Sequence, residues 1–94
     1  MRYTVRHTLE AGLTLDKIRE VGRTMQKDPE ITGVRSFFNL SEHKAVCVID
    51  APDRERLEKW FDDNNLPYEE IWPVEIEGER NEFTEIPTAE AAHK

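Results

Sequence analysis

Five consecutive apolar residues, Ala45-Val46-Cys47-Val48-Ile49, form the longest uninterrupted apolar run in this 94-residue chain. The run is far too short to span a bilayer as a helix, which takes about 20 such residues. Three of its five residues are β-branched, so it reads as a strand, and it is apolar at both parities. A strand of that kind asks for cover on both of its faces. The rest of the chain has to be arranged around that demand.

The flanking segments supply the other elements. Tyr3, Val5, His7 and Leu9 alternate with Thr4, Arg6 and Thr8, a period-2 strand with one polar face. Thr14 is placed as a helix N-cap, with Leu13 and Ile18 at staple spacing. Ile18, Val21 and Met25 then share one helical stripe, and Asp28-Pro29 prevents continuation. Gly33 to Leu40 reads as a second strand, joined by Ser41-Glu42-His43-Lys44 to the apolar run as a hairpin. Asp53 caps a second helix whose stripe is Leu57, Trp60 and Phe61, and Asn64-Asn65 suits its left-handed exit. Glu70 to Glu77 reads as the last strand, with Trp72, Val74 and Ile76 on one face. Pro73 favours a sheet edge for it.

The order is βαββαβ, an α+β chain of ferredoxin-like type: a four-stranded antiparallel sheet with two helices on one face. The helices can cover one side of the apolar strand only. A second copy of the chain is the expected cover for the other, giving a homodimer of the dimeric α/β-barrel kind. Residues 1–78 form the expected domain. Residues 79–94, polar except for Phe83 and Ile86, are an acidic tail or an arm embracing the partner.

Charge narrows the function classes. The formal net charge is -7, and residues 53–77 carry nine Asp/Glu against three Lys/Arg. Such a surface repels phosphate backbones and anionic membranes, so neither nucleic acid nor membrane is an expected partner. A single cysteine forms no internal disulfide and suits a reducing compartment, and no apolar stretch follows the N-terminus as in a signal peptide. A cytoplasmic location is expected.

No residue stands out as catalytic. Among the histidines, His43 and His93 read as surface groups, and none of the three shares a ligand spacing with another. His7 and Cys47 lie on strands that neighbour each other in this topology, and Asp50 follows at the exit of the second. Imidazole, thiolate and carboxylate together suit nickel or another divalent metal, so His7, Cys47 and Asp50 are the candidate metal ligands. The plain alternative is packing, since a lone cysteine in an apolar strand is usually inert core. Arg6, on the polar parity of its strand, either meets an anionic ligand in a dimer cavity or solubilises the surface. Trp72, with Trp60, Phe37 and Phe38, either lines a pocket or fills the core. Arg6 and Trp72 are the candidate ligand-binding residues. The runs Asp62-Asp63 and Glu69-Glu70 read as a solvated face.

Ser36-Phe37 in the hairpin strand, Cys47, the acidic exit Asp50, Ala51-Pro52 and Leu66-Pro67 resemble a pattern found in a family of small bacterial domains. With the opening Arg2-Tyr3-Thr4-Val5-Arg6-His7-Thr8-Leu9, the likeness spans most of the chain. That family was long of unknown function, and a nickel-binding member has been described. The resemblance implies a ferredoxin-like homodimer and a role in binding metal.

The leading expectation is therefore a non-enzymatic homodimer that binds a metal or small ligand in the cleft between two sheets. An alternative is a cofactor-independent enzyme similar to dimeric α/β-barrel monooxygenases, with an apolar cavity near Arg6, His7 and Trp72. A third is an interaction module whose acidic second helix meets a basic partner.

Overall fold

The computed structural model describes residues 1–87. Strand β1 spans Arg2–Thr8 and is followed by helix α1, Leu15–Gln26, then by β2, Thr32–Asn39, and β3, Lys44–Asp50. Helix α2, Arg54–Asp63, leads into β4, Glu70–Pro73, and the chain continues as β5, Ile76–Glu79, and β6, Glu82–Glu85. The first four strands form one sheet in the order β2-β3-β1-β4, with every neighbouring pair antiparallel. This is the strand order of a ferredoxin-like domain, with the two helices as crossovers. Among the described residues no helix is long and apolar enough to cross a membrane.

Local chemistry starts both helices. The Thr14 hydroxyl accepts from the Lys17 N–H at 3.3 Å, and the Asp53 carboxylate accepts from the Arg56 N–H at 2.8 Å. Asn65, at φ 53°, provides the left-handed exit from α2.

Register decides what each strand buries. Tyr3, Val5 and His7 stand opposite Ile49, Cys47 and Ala45, and Val5 also stands opposite Ile71. Directly opposed residues share a face, so this set forms the helix side of the sheet. Leu57, Trp60 and Phe61 of α2 close over it, and Tyr3, Val5, Ile49 and Leu57 are at most 2% exposed. Helix α1 behaves differently. None of its residues is buried, and Ile18, Val21 and Met25 are only partly covered. Of its stripe, Val21 and Met25 pack against the edge of the core cluster.

The last strand departs from the alternation read in the sequence. Trp72 stands opposite Thr4, which puts it on the outer face of the sheet at 47% exposure, while Ile71 takes the core position. Pro73 has no N–H to continue the ladder. The Val74 N–H still reaches the Arg2 carbonyl at 2.9 Å, and beyond it the chain leaves the sheet. Ile76, 63% exposed, opens a separate hairpin, β5-β6. Arg80 and Asn81 turn that hairpin at positive φ, and a Cβ on Gly78 would come within 2.6 Å of the Phe83 ring. Trp72 and Ile76 therefore do not share a buried face with Val74. The hairpin runs through the proposed boundary at residue 78, and the rest of the expected tail, residues 88–94 with His93, lies outside the described residues.

Candidate functional site

Between α1, the sheet and α2 lies a cleft of about 1070 Å³, partly open to solvent. Its walls are mainly apolar, drawn from Ile18, Val21 and Met25 on one side and Ile49, Trp60 and Phe61 on the other. His7, Glu10 and Pro67 line it as well.

His7 is held through its ring by two contacts. Its Nδ1 lies 3.0 Å from the carbonyl oxygen of Pro67, and its ring meets Phe61 edge-on with centroids 5.4 Å apart. A carbonyl can only accept, so Nδ1 carries the proton in this bond. In the neutral ring Nε2 then keeps its lone pair, the arrangement that second-shell carbonyls impose on metal-bound imidazoles.

The three candidate metal ligands are not brought together within one chain. His7 and Cys47 share the helix side of the sheet, on adjacent strands, as the register sets them. Asp50 stands opposite Arg2, on the outer side. There the Arg2 guanidinium grips both oxygens of Asp50, at 2.8 and 3.0 Å, and donates to Glu77 at 2.7 Å. That carboxylate is committed to an ion pair on the wrong side of the sheet. Cys47 is buried, and burial pushes its thiol above the ordinary range, opposed only in part by a hydrogen bond with Ser36. A protonated, buried thiol is a poor ligand and a poor nucleophile. Iodoacetamide should therefore alkylate Cys47 in the native protein roughly 100-fold more slowly than in urea. Timed mass spectrometry measures both rates, and equal rates would place the thiol outside the core. Among the described residues no three His, Cys, Asp or Glu side chains lie close enough to hold one metal ion.

The ligand-binding candidates lie elsewhere. Arg6 and Trp72 are both on the outer face, where Arg6 donates to Glu70 at 3.0 Å. Neither lines the cavity, and of Arg6, His7 and Trp72 only His7 does. Two rows of residues cross that outer face. One runs Phe37, Val46, Arg6, Glu70 and the other Arg35, Val48, Thr4, Trp72. Phe37 is 62% exposed and Trp72 47%, so neither is core, contrary to what their spacing suggested. Phe38, of opposite parity, lines the cavity.

Sequence reasoning missed the cavity and the Pro67 carbonyl. Nothing local marks a carbonyl that a loop carries to a distant strand. The cavity did leave a trace, because Gly22 interrupts the apolar stripe of α1 where another large side chain would pack.

No curated protein and no solved structure matches this chain. One family model does, over residues 3–74, and its description is nickel responsive protein SCO4226-like. The matched segment runs from the second residue of β1 through β4 with both helices, and it contains every motif on which the resemblance was read save Arg2 of the opening. The chain belongs to the nickel responsive protein SCO4226-like family.

Proposed function

We propose that the protein is a homodimeric binding protein that takes up nickel or a similar divalent metal, with the His7 imidazole as its principal ligand. The observation that carries this reading is the bond from His7 Nδ1 to the Pro67 carbonyl, which leaves Nε2 as the free donor. Imidazole nitrogen suits nickel well. Glu10, three residues on and lining the same cavity, is the carboxylate best placed in sequence to assist. Cys47 and Asp50 take no part in this site, for the reasons of burial and sheet side given above. The described residues of one chain do not supply a full coordination shell, and water completes the open site. The family description supports the choice of metal.

Calorimetric titration of chelator-stripped protein with nickel tests the assignment. Wild type should give a saturable heat that His7→Ala removes and Cys47→Ser leaves intact. Loss of the heat in Cys47→Ser, or its persistence in His7→Ala, would overturn the assignment.

The dimer reading has separate support. Phe37, Val46, Val48 and Trp72 lie together on the outer face of the sheet, bordered by the pairs Arg6–Glu70 and Arg35–Glu79. Phe37, Val46 and Val48 adjoin one another on β2 and β3, and Trp72 lies across Thr4 on β4. A face that mixes apolar groups with paired charges of both signs can meet a copy of itself. Two such sheets packed face to face, about 10 Å apart, cover the second side of β3.

A further inference from the structure

We infer that the space beneath α1 is a binding site for an uncharged, largely hydrocarbon or aromatic small molecule carrying one hydrogen-bond donor. The cleft of about 1070 Å³ beneath α1 is partly open to solvent and has mainly apolar walls, so it leaves concave apolar surface that a ligand would cover. Its size is that of a site for a drug-sized ligand.

Two features of α1 point the same way. Its N-cap is formed and its apolar stripe is regular, yet Ile18, Val21 and Met25 all stay partly exposed. The stripe also carries Gly22, four residues after Ile18 and three before Met25, and so on the same face. A Cβ built on Gly22 would meet nothing within 4 Å. Glycine in a helix interior costs about 1 kcal/mol relative to alanine, and no close neighbour here requires its smallness. What its missing side chain leaves is room, in the roof of the cavity.

The polar groups along the lining set the ligand class. Glu10 and Asp28 both contribute negative charge, and Asp28 is tied to Arg56. Arg35, the cation among the described lining residues, has the outward parity of its strand and pairs with Glu79. A carboxylate or phosphate ligand would find no free positive partner there. His7 Nε2, left with its lone pair by the Pro67 bond, can instead accept from a hydroxyl or an N–H. This site does not depend on the metal reading, because it can be read with the metal removed.

The test uses N-phenyl-1-naphthylamine, a neutral aromatic with one N–H, titrated into the full chain in excess chelator and followed by fluorescence. Binding should saturate at one probe per chain and be at least tenfold tighter than that of 1-anilinonaphthalene-8-sulfonate, its anionic counterpart. Gly22→Leu, which fills the roof with a better helix former, should weaken the neutral probe at least tenfold. Ile76→Ser, which removes an exposed apolar group on the β5-β6 hairpin, should leave it unchanged. A second readout needs no change in the cavity. In Trp72→Phe, Trp60 is the remaining tryptophan, and saturating probe should quench its emission by energy transfer. No saturable binding, equal affinity for the sulfonate, undiminished affinity in Gly22→Leu or an unquenched Trp60 would each overturn the proposal. None of these results bears on the nickel titration.

Discussion

Leu57→Ala should lower the unfolding free energy by about 3 kcal/mol, within the range of 2–5 for buried leucines. Leu57 has no exposed surface and sits where α2 meets the sheet, in one cluster with Tyr3, Val5, Ile49 and Trp60. Because α1 has no fully buried residue while α2 buries Leu57, Trp60 and Phe61, α2 carries most of the helix-to-sheet burial. Domains of this size are commonly stable by only about 5–10 kcal/mol, so the variant should unfold at markedly lower urea. The midpoint shift in a urea titration followed by circular dichroism measures the effect. Ile76→Ala, on the exposed hairpin, serves as the contrast and should change stability by less than about 0.5 kcal/mol. Equal effects from the two substitutions would contradict the assignment of the core to the α2 side.

The second large effect concerns the proposed pairing of sheets. Val46→Lys should weaken self-association at least 100-fold, about 2.7 kcal/mol, because it buries a new cation beside Arg6 on both copies. Val46 is 39% exposed in the single chain, so the substitution should leave the fold intact. Sedimentation velocity across a concentration series reads the dissociation constant, and far-ultraviolet circular dichroism confirms folding. A wild-type chain that stays a single subunit at high concentration would remove the dimer from the functional reading, whatever Val46→Lys does.

The predictions rest on parts of the molecule that were legible to different degrees. Caps and turns were readable because their causes are local: Thr14 and Asp53 each satisfy an N–H three residues on. The strands β1 and β3 were readable because period 2 leaves no freedom about which residues share a face. Whether His7 and Cys47 share a face was left to the register, since a slip of one residue would have parted them. The last strand was misread because alternation alone assigns a pair of faces without saying which one is buried. The pairing of Thr4 with Trp72 made that choice. It sent Trp72 outward with Arg6 and left Ile71 inside. Asp50 was adjacent to Cys47 in reasoning along the chain, yet an odd offset of three residues along a strand puts it on the opposite face, where Arg2 claims it.

The site itself shows the same division. Histidine at position 7 could be named from sequence, but its tautomer could not. That is set by a carbonyl some sixty residues away, brought up by the loop after α2. Likewise the stripe Ile18, Val21 and Met25 announced an amphipathic helix, while how far that helix stands from the sheet is a matter of packing.

By itself the amino-acid order determined the succession of strands and helices, where each helix begins, which residues alternate, and the excess of negative charge. These follow from interactions that span a few residues, and a short segment carries them in full. Only the tertiary structure decided which side of the last strand meets the core, that the expected ligands lie on two sides of one sheet, and that a large cavity opens under α1. Those outcomes depend on register and on the distance between layers. Both are fixed by residues far apart along the chain competing to bury the most apolar surface.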